Sequence, residues 1–372
     1  MVTDSKPIPN HRGLIVGNYT HDILLHNNNI IAESLGGAAS FISTVLDSLS
    51  LPFHLISKVG PDFSHKTAHL PLVVPTSQTT LFHAHFGSNH PDRILRRVKS
   101  CDPITPSDIP AGARFLFGMA VGVAGEILPE TLERMLEICD YVFVDVQGLI
   151  RRFEDEDGCV RHVGLKESGF FHLLPKVAFL KASEDEAEFI DLEEVRKWCC
   201  VVVTHGKDGC EVFSKDGCLM VDPFEACQVD PTGAGDCFLG GFAAGIVKGL
   251  GVYDAALLGN FFGSLAVAQV GPPKIDLNLV QVVKEEMNKR KVHDSPCLGK
   301  INELLVFRKS HDQDQFYKSL VAAKDMIMCH TQKNGWNLLS SSKEVEQNNV
   351  KAKLVLNSVQ QEPIPSVVGS EP

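Results

Sequence analysis

The chain lacks a C-x-x-C pair among its 11 cysteines, and the close pair Cys199-Cys200 falls inside the apolar run 198–203. The cysteines therefore read as reduced, buried thiols, not as a disulfide framework or a zinc site. Basic blocks are also missing: 35 Lys and Arg stand against 46 Asp and Glu, a net charge of −11, which excludes nucleic acid as a main partner. No uncharged apolar run approaches the ~20 residues that a membrane span needs. The polar start, Met1 to Pro7, has no leader-like apolar stretch, so a cytoplasmic protein away from membranes is expected. Nor is there a G-x-x-x-x-G-K-[ST] phosphate loop. An acidic protein of this kind can bind an anionic nucleotide only through local devices such as helix N-termini, backbone amides and a metal ion.

With 44% hydrophobic and 22% charged residues in 372, the chain has the make-up of a folded globular protein. Gly13 to Gly17 reads as a buried strand. Ile23 to Leu25 and Ile30-Ile31 flank Asn27-Asn28-Asn29, and Gln78 to Phe86 returns through Arg93 to Lys99. These two hairpins, at about 22–33 and 78–99, predict a small β lid. A helix follows Gly36-Gly37, and a strand is expected over 53–59. From about residue 112 strands and helices alternate: 115–119, 129–139, 141–146 and 177–181, then an acidic helix from Ser183 to Lys197, the strand 200–204 and a hairpin over 210–221. Helices from Asp236 and Tyr253 close the series. Such alternation predicts an α/β fold, a mainly parallel central sheet with helices on both faces, and ligands at the carboxyl ends of its strands. Beyond about 290 Lys, Asn, Gln and Ser dominate; a partly helical extension over 291–330 and a disordered tail over 331–372 are expected.

The segment Asp230-Pro231-Thr232-Gly233-Ala234-Gly235-Asp236 carries the chemistry. Its small residues let backbone approach a ligand, and the apolar, glycine-rich stretch after Asp236 opens a helix whose first turn directs unpaired N–H groups at the loop. That end suits a phosphoryl group in flight. A hydroxyl that attacks phosphorus needs an acceptor for its proton, which Asp236 can provide, while the amides of Gly233, Ala234, Gly235 and Asp236 form an anion hole. The competing reading is a helix cap on a glycine turn. The run is not a Rossmann fingerprint, because Gly233-Ala234-Gly235 lacks the third glycine of G-x-G-x-x-G.

Asp230 to Asp236, with Phe238 and Gly241, resembles the C-terminal signature of the ribokinase, or phosphofructokinase B, family, D-T-x-G-A-G-D-x-F. The resemblance extends over residues 12–290. It implies a ribokinase-like three-layer kinase domain, ATP as phosphoryl donor and Mg2+ as cofactor. In Gly17-Asn18-Tyr19-Thr20-His21-Asp22, it implies that Asp22, with Asn18, Gly36 and Gly37, binds the acceptor; Ala38 replaces an Asn common in the family. Ser183-Glu184-Asp185-Glu186 is similar to N-x-x-E, which implies that Glu186 acts on magnesium through water. Asp145, in Asp145-Val146-Gln147-Gly148, is a second metal candidate. Thr204-His205-Gly206-Lys207-Asp208-Gly209 resembles T-x-G-x-x-G, so Thr204, Gly206 and Gly209 are expected on ATP, together with Thr232, Gly233, Gly235, Asn260 and Ser264.

Within the family, the start, the 145–148 segment, the loop and the polar extension together are most similar to plant myo-inositol kinases. That implies a small polyol acceptor, myo-inositol first, phosphorylated at its 3-position by a monomer or homodimer. A fructokinase, a nucleoside kinase or an idle family member acting as a scaffold are the alternatives.

Overall fold

Runs such as Tyr141 to Val144 and Val201 to Val203 become central strands because both faces of the sheet that receives them are covered. The computed structural model describes residues 13–86, 94–154, 158–290 and 314–325. The chain divides at Leu320; of the second unit only 321–325 are described, and they are helical. Everything below concerns the first unit.

In chain order its strands are β1 (Gly13–Val16), β2 (Thr20–His26), β3 (Asn29–Gly36), β4 (Phe53–Ile56), β5 (Lys58–Val59), β6 (Leu72–Val73), β7 (Thr80–Phe86), β8 (Ile94–Lys99), β9 (Phe115–Ala120), β10 (Cys139–Asp145), β11 (Arg151–Phe153), β12 (Val160–His162), β13 (Phe179–Ser183), β14 (Cys200–Thr204), β15 (Cys210–Ser214) and β16 (Gly217–Val221). The main sheet runs β16-β15-β14-β13-β10-β9-β1-β4. It is parallel from β4 to β14, and β15 and β16 add an antiparallel edge. The α/β expectation and the alternation behind it hold.

The helices are α1 (Ala38–Ser48), α2 (Pro129–Ile138), α3 (Gln147–Ile150), α4 (Glu184–Ala187), α5 (Leu192–Val195), α6 (Ala234–Val247), α7 (Val252–Ala266) and α8 (Leu277–Lys289). On one face of the sheet Phe242 of α6 meets the stacked rings of Phe143 and Phe179, whose centroids lie 4.7 Å apart. On the other, Leu132 and Met135 of α2 and Val195 of α5 share one apolar cluster with Val144, Leu180 and Val201. These are the three layers.

Strands β3-β2-β7-β8 form a separate sheet, the expected lid. The two hairpins are joined by a parallel β2–β7 pairing that local sequence does not reveal. Asn27 and Asn28 take φ of 50° and 62° at the first turn, the left-handed geometry that two-residue hairpins need. The 87–92 turn lies outside the described residues, as do 301–307 and the 331–372 tail; within the extension, 314–320 are helical.

Three expectations need correction. The acidic helix breaks into α4 and α5, because Asp191 caps a new start by accepting from the Glu194 N–H. The strand expected over 53–59 is interrupted at Ser57, where the Lys58 N–H turns to the side-chain Oδ1 of Asn18 at 2.7 Å. Of the described cysteines, all unbridged, Cys218 and Cys227 are exposed and Cys159 half-buried. No described helix is long and apolar enough to cross a membrane.

Candidate active site

The carboxyl ends of β10, β13 and β14 lie side by side, with Asp145 opposite Lys181 and Ser183 opposite Thr204. Above them runs the loop 230–236. Asp230, buried, accepts from the backbone N–H and the hydroxyl of Thr232, at 2.9 and 2.6 Å. Gly233 then turns left-handed, φ 78°, against the Phe41 ring of α1, where a Cβ would collide with ring carbons at 2.1 Å. Only glycine satisfies both conditions. The helix α6 starts at Ala234, placing Asp236 in its first turn.

Beneath the loop lies a buried charge cluster. Lys181 Nζ is 3.2 Å from Asp145 Oδ2 and 3.9 Å from Glu186 Oε2. Arg151 reaches Glu186 Oε1 at 3.6 Å. The Gln147 amide donates to Asp145 at 3.0 Å and to Asp236 at 3.1 Å, tying the two acids together. Burial raises the Asp236 carboxyl above its ordinary value, while Lys181, Arg151 and the Gln147 hydrogen bond restrain the rise. A carboxylate so placed is a better base than one in water. Burial likewise pushes Asp145 up, to about 7, against the pull of Lys181. Glu186 goes the other way: burial would raise it, but Lys181, Arg151 and the Ser183 N–H overcome that and lower it.

The loop is the wall between two cavities. A large one, about 490 Å³, is lined by Thr204, Gly206, Gly209, Pro223, Phe224, Pro231, Ala234, Gly235, Asn260 and Ser264. A small one, about 70 Å³, is lined by Asp22, Gly37, Gln147, Arg151, Thr232, Gly233 and Asp236, under lid residues Leu24, Phe82, Ala84 and Leu95. The structure thus brings Asp22 and Asp236 to one pocket and the T-x-G-x-x-G turn, Asn260 and Ser264 to the other. Thr232 and Gly233, expected on the nucleotide, lie on the small-pocket side.

Asn18 is buried and does not line the pocket, its side-chain Oδ1 accepting from the Lys58 N–H, and Gly36 serves Asp22: a Cβ there would lie 2.0 Å from the Asp22 carboxylate. Asp145 is fully buried under Gln147 and Lys181. Lys181 and Arg151 were not singled out by sequence, although a lone lysine inside the apolar strand Phe179-Leu180-Lys181-Ala182 was a signal. A Cβ on Gly235 would sit 2.8 Å from Lys181 Nζ, so the ammonium lies directly behind the amides of the loop.

A roomy cavity and a small pocket on the two sides of one loop, with a carboxylate in the first turn of its helix, form the frame of a ribokinase-like small-molecule kinase. Residues 153–275 match the pfkB family of carbohydrate kinases. The chain is 59% identical over 291 residues to an inositol 3-kinase of Arabidopsis thaliana, covering 77% of this chain and 82% of that protein. It is 49% identical over 332 residues to an inositol 3-kinase of Oryza sativa subsp. japonica, covering 85% and 83%. A solved pyrophosphate-dependent myo-inositol-1 kinase, converted into a myo-inositol-3 kinase by two substitutions to leucine, shares the fold with a TM-score of 0.60 and 19% identity, over 70% of this chain and 95% of that one. The chain belongs to the pfkB carbohydrate-kinase family.

Proposed function

We propose that the protein transfers the γ-phosphoryl group of ATP to the 3-hydroxyl of myo-inositol. The observation that carries this is the partition made by the loop, with Ala234 and Gly235 facing the donor cavity, and Gly233 and Asp236 facing the acceptor pocket. Phosphorus crosses at the first turn of α6, where unpaired amides meet the developing charge. Asp236 takes the proton of the attacking hydroxyl and Asp22 orients its neighbours. Lys181, behind Gly235, balances charge that accumulates at the amides.

ATP, not pyrophosphate, fits the donor side, because the cavity runs from the loop past Phe224 to Asn260 and Ser264. Pyrophosphate would leave that apolar end empty. Among the described residues no group of three acidic, His or Cys side chains could hold a metal directly, and both Glu186 oxygens already face cations or the Ser183 N–H. The donor set fits magnesium that arrives on the ATP phosphates, with Glu186 acting through water. The ion supplies charge neutralisation on those phosphates when bound.

The acceptor is read from the pocket's two sides. Leu24, Ala84 and Leu95 stand opposite one another across β2, β7 and β8, an apolar roof over the carboxylates. A cyclitol matches that division, with C–H faces and a rim of hydroxyls. The plant relatives' activity supports the same reading. Leu95→Asn is expected to lower kcat/KM for myo-inositol by about tenfold and to broaden the position phosphorylated. Phosphorus NMR of the product checks this, and an unchanged product at an unchanged rate would remove the roof from specificity. The reading as a whole is tested with magnesium ATP or pyrophosphate against inositol isomers, fructose and adenosine; preference for a nucleoside or for pyrophosphate would sink it.

A further inference from the structure

We propose that the C-terminal extension completes the nucleotide side of the enzyme: Tyr317 is a positioning residue that fixes Phe224 in the wall of the large cavity and so sets the affinity for ATP. The proposal rests on the reading of that cavity as the ATP site.

One wall of the cavity is irregular chain. Residues 222–228 belong to no helix or strand, and Pro223, Phe224, Glu225, Ala226 and Gln228 among them line the cavity. No sheet ladder or helix holds their course. Every residue from Glu225 to Val229 is exposed, and Phe224 alone among 222–229 is buried. A loop with one buried aromatic is anchored where that ring is anchored. Whatever grips Phe224 therefore shapes this end of the cavity.

The grip has two halves, and they meet on three successive carbonyls. Asn260 of α7 donates from Nδ2 to the carbonyls of Val221 and Asp222, at 3.2 and 2.9 Å. The Tyr317 hydroxyl donates to the next one, that of Pro223, at 3.1 Å from 94 positions away in the chain. The Phe224 ring touches both elements: Phe261 of α7 meets it edge-on with centroids 5.4 Å apart, and Tyr317 is tilted against it at 4.9 Å. Asn260 also lines the cavity, but Tyr317 does not. Tyr317 acts through Phe224 and the Pro223 carbonyl.

The helical segment 314–320 that carries Tyr317 is itself firmly seated. Phe316 and Leu320 are completely buried. The Arg290 guanidinium lies 5.1 Å over the Phe316 ring and reaches Asp254 of α7 at 3.8 Å. The extension is thus fastened to the same helix that supplies Asn260 and Phe261. Burial first, then the carboxylates of Asp222 and Glu225, hold the Tyr317 phenol above its ordinary value, so the hydroxyl stays protonated and goes on donating. A nucleobase that meets a wall already ordered loses less in binding than one that must order it. The phosphates, received at the first turn of α6, do not depend on that wall, so Tyr317 bears on donor affinity and not on the chemical step.

The experiment compares full-length wild type, Tyr317→Ala, Tyr317→Phe, Phe224→Ala and the double variant with magnesium ATP and the acceptor that wild type prefers. Tyr317→Ala is expected to raise KM for ATP, and the calorimetric Kd for ADP, by about tenfold, with kcat within about threefold and acceptor KM within about twofold. Tyr317→Phe keeps the ring and loses the hydroxyl, so KM for ATP should rise by about threefold. In the Phe224→Ala background, Tyr317→Ala should add no more than about threefold. A merely structural Tyr317 would lower the active fraction, and so kcat, while both KM values stayed in place. That result, or the full tenfold on top of Phe224→Ala, would overturn the proposal. Should Tyr317→Ala not fold, Tyr317→Phe decides, and a wild-type KM for ATP in it would overturn the proposal. A wild type that prefers pyrophosphate sinks the donor reading and this proposal with it; variants that match an ATP-using wild type sink the proposal alone.

Discussion

Asp236→Asn is expected to lose on the order of 10²-fold or more in kcat, with ATP affinity changed by less than about threefold. The amide fills the same space beside Gln147 but cannot accept the hydroxyl proton. Wild-type kcat/KM should fall on the acid side through a value above the ordinary carboxylate pKa, because burial raises Asp236 and only the ionised form is a base. That limb should vanish in the variant. Stability should move the other way. A carboxyl whose folded pKa lies above its unfolded one binds protons more tightly in the native state, so stability falls as pH rises from the unfolded to the folded value. Removing it should raise Tm at neutral pH. A variant that turns over at the wild-type rate would leave Asp236 as a helix cap and nothing more.

Lys181→Met is expected to cost about 3–5 kcal/mol of stability at neutral pH, the usual result of stripping one partner from a buried ion pair. Asp145, Glu186 and Asp236 would then share the interior with Arg151 alone. The pH dependence identifies the cause. Burial would lower the Lys181 ammonium's pKa, but Asp145, Glu186 and Asp236 raise it, so its contribution is present below its unfolded pKa and lost as pH rises through the folded one. The matching contribution of Glu186, whose pKa is lowered, is present above its unfolded value and lost as pH falls through the folded one. Between those limits the variant suffers fully. Because Asp145 and Asp236 are raised, they take up protons early on acidification, so the Tm deficit should be larger at pH 7.5 than at pH 5. An equal deficit at both would mean that Met merely packs badly. Turnover should fall as well, since the ammonium backs the Gly235 amide.

Much of the site is contiguous in the chain, and those parts are legible there. The loop 230–236, its left-handed Gly233 and the helix that follows act through neighbouring backbone, as does the Thr204 to Gly209 turn. What sequence reading misses is assembled across distance. Thr232 lies only three residues from Gly235 yet faces the other cavity, because the turn at Gly233 reverses the side presented. Glu186 was expected to act on magnesium; it is also the second half of a capping box with Ser183 and the shared partner of Lys181 and Arg151, two residues 30 positions apart. The broken acidic helix shows the same limit: Asp191 as a new cap competes with continuation, and helix-forming composition does not decide between them.

The loop 230–236 was determined by the sequence itself, since the left-handed glycine, the helix start and the carboxylate proposed as proton acceptor lie within seven consecutive residues and depend on local backbone geometry. Only the tertiary structure decided which residues of that loop face the large cavity and which the small pocket, how Lys181 and Arg151 join the charge cluster beneath it, and which lid residues roof the small pocket. Those are relations between strands brought together by burial of a common core, and no local pattern records them.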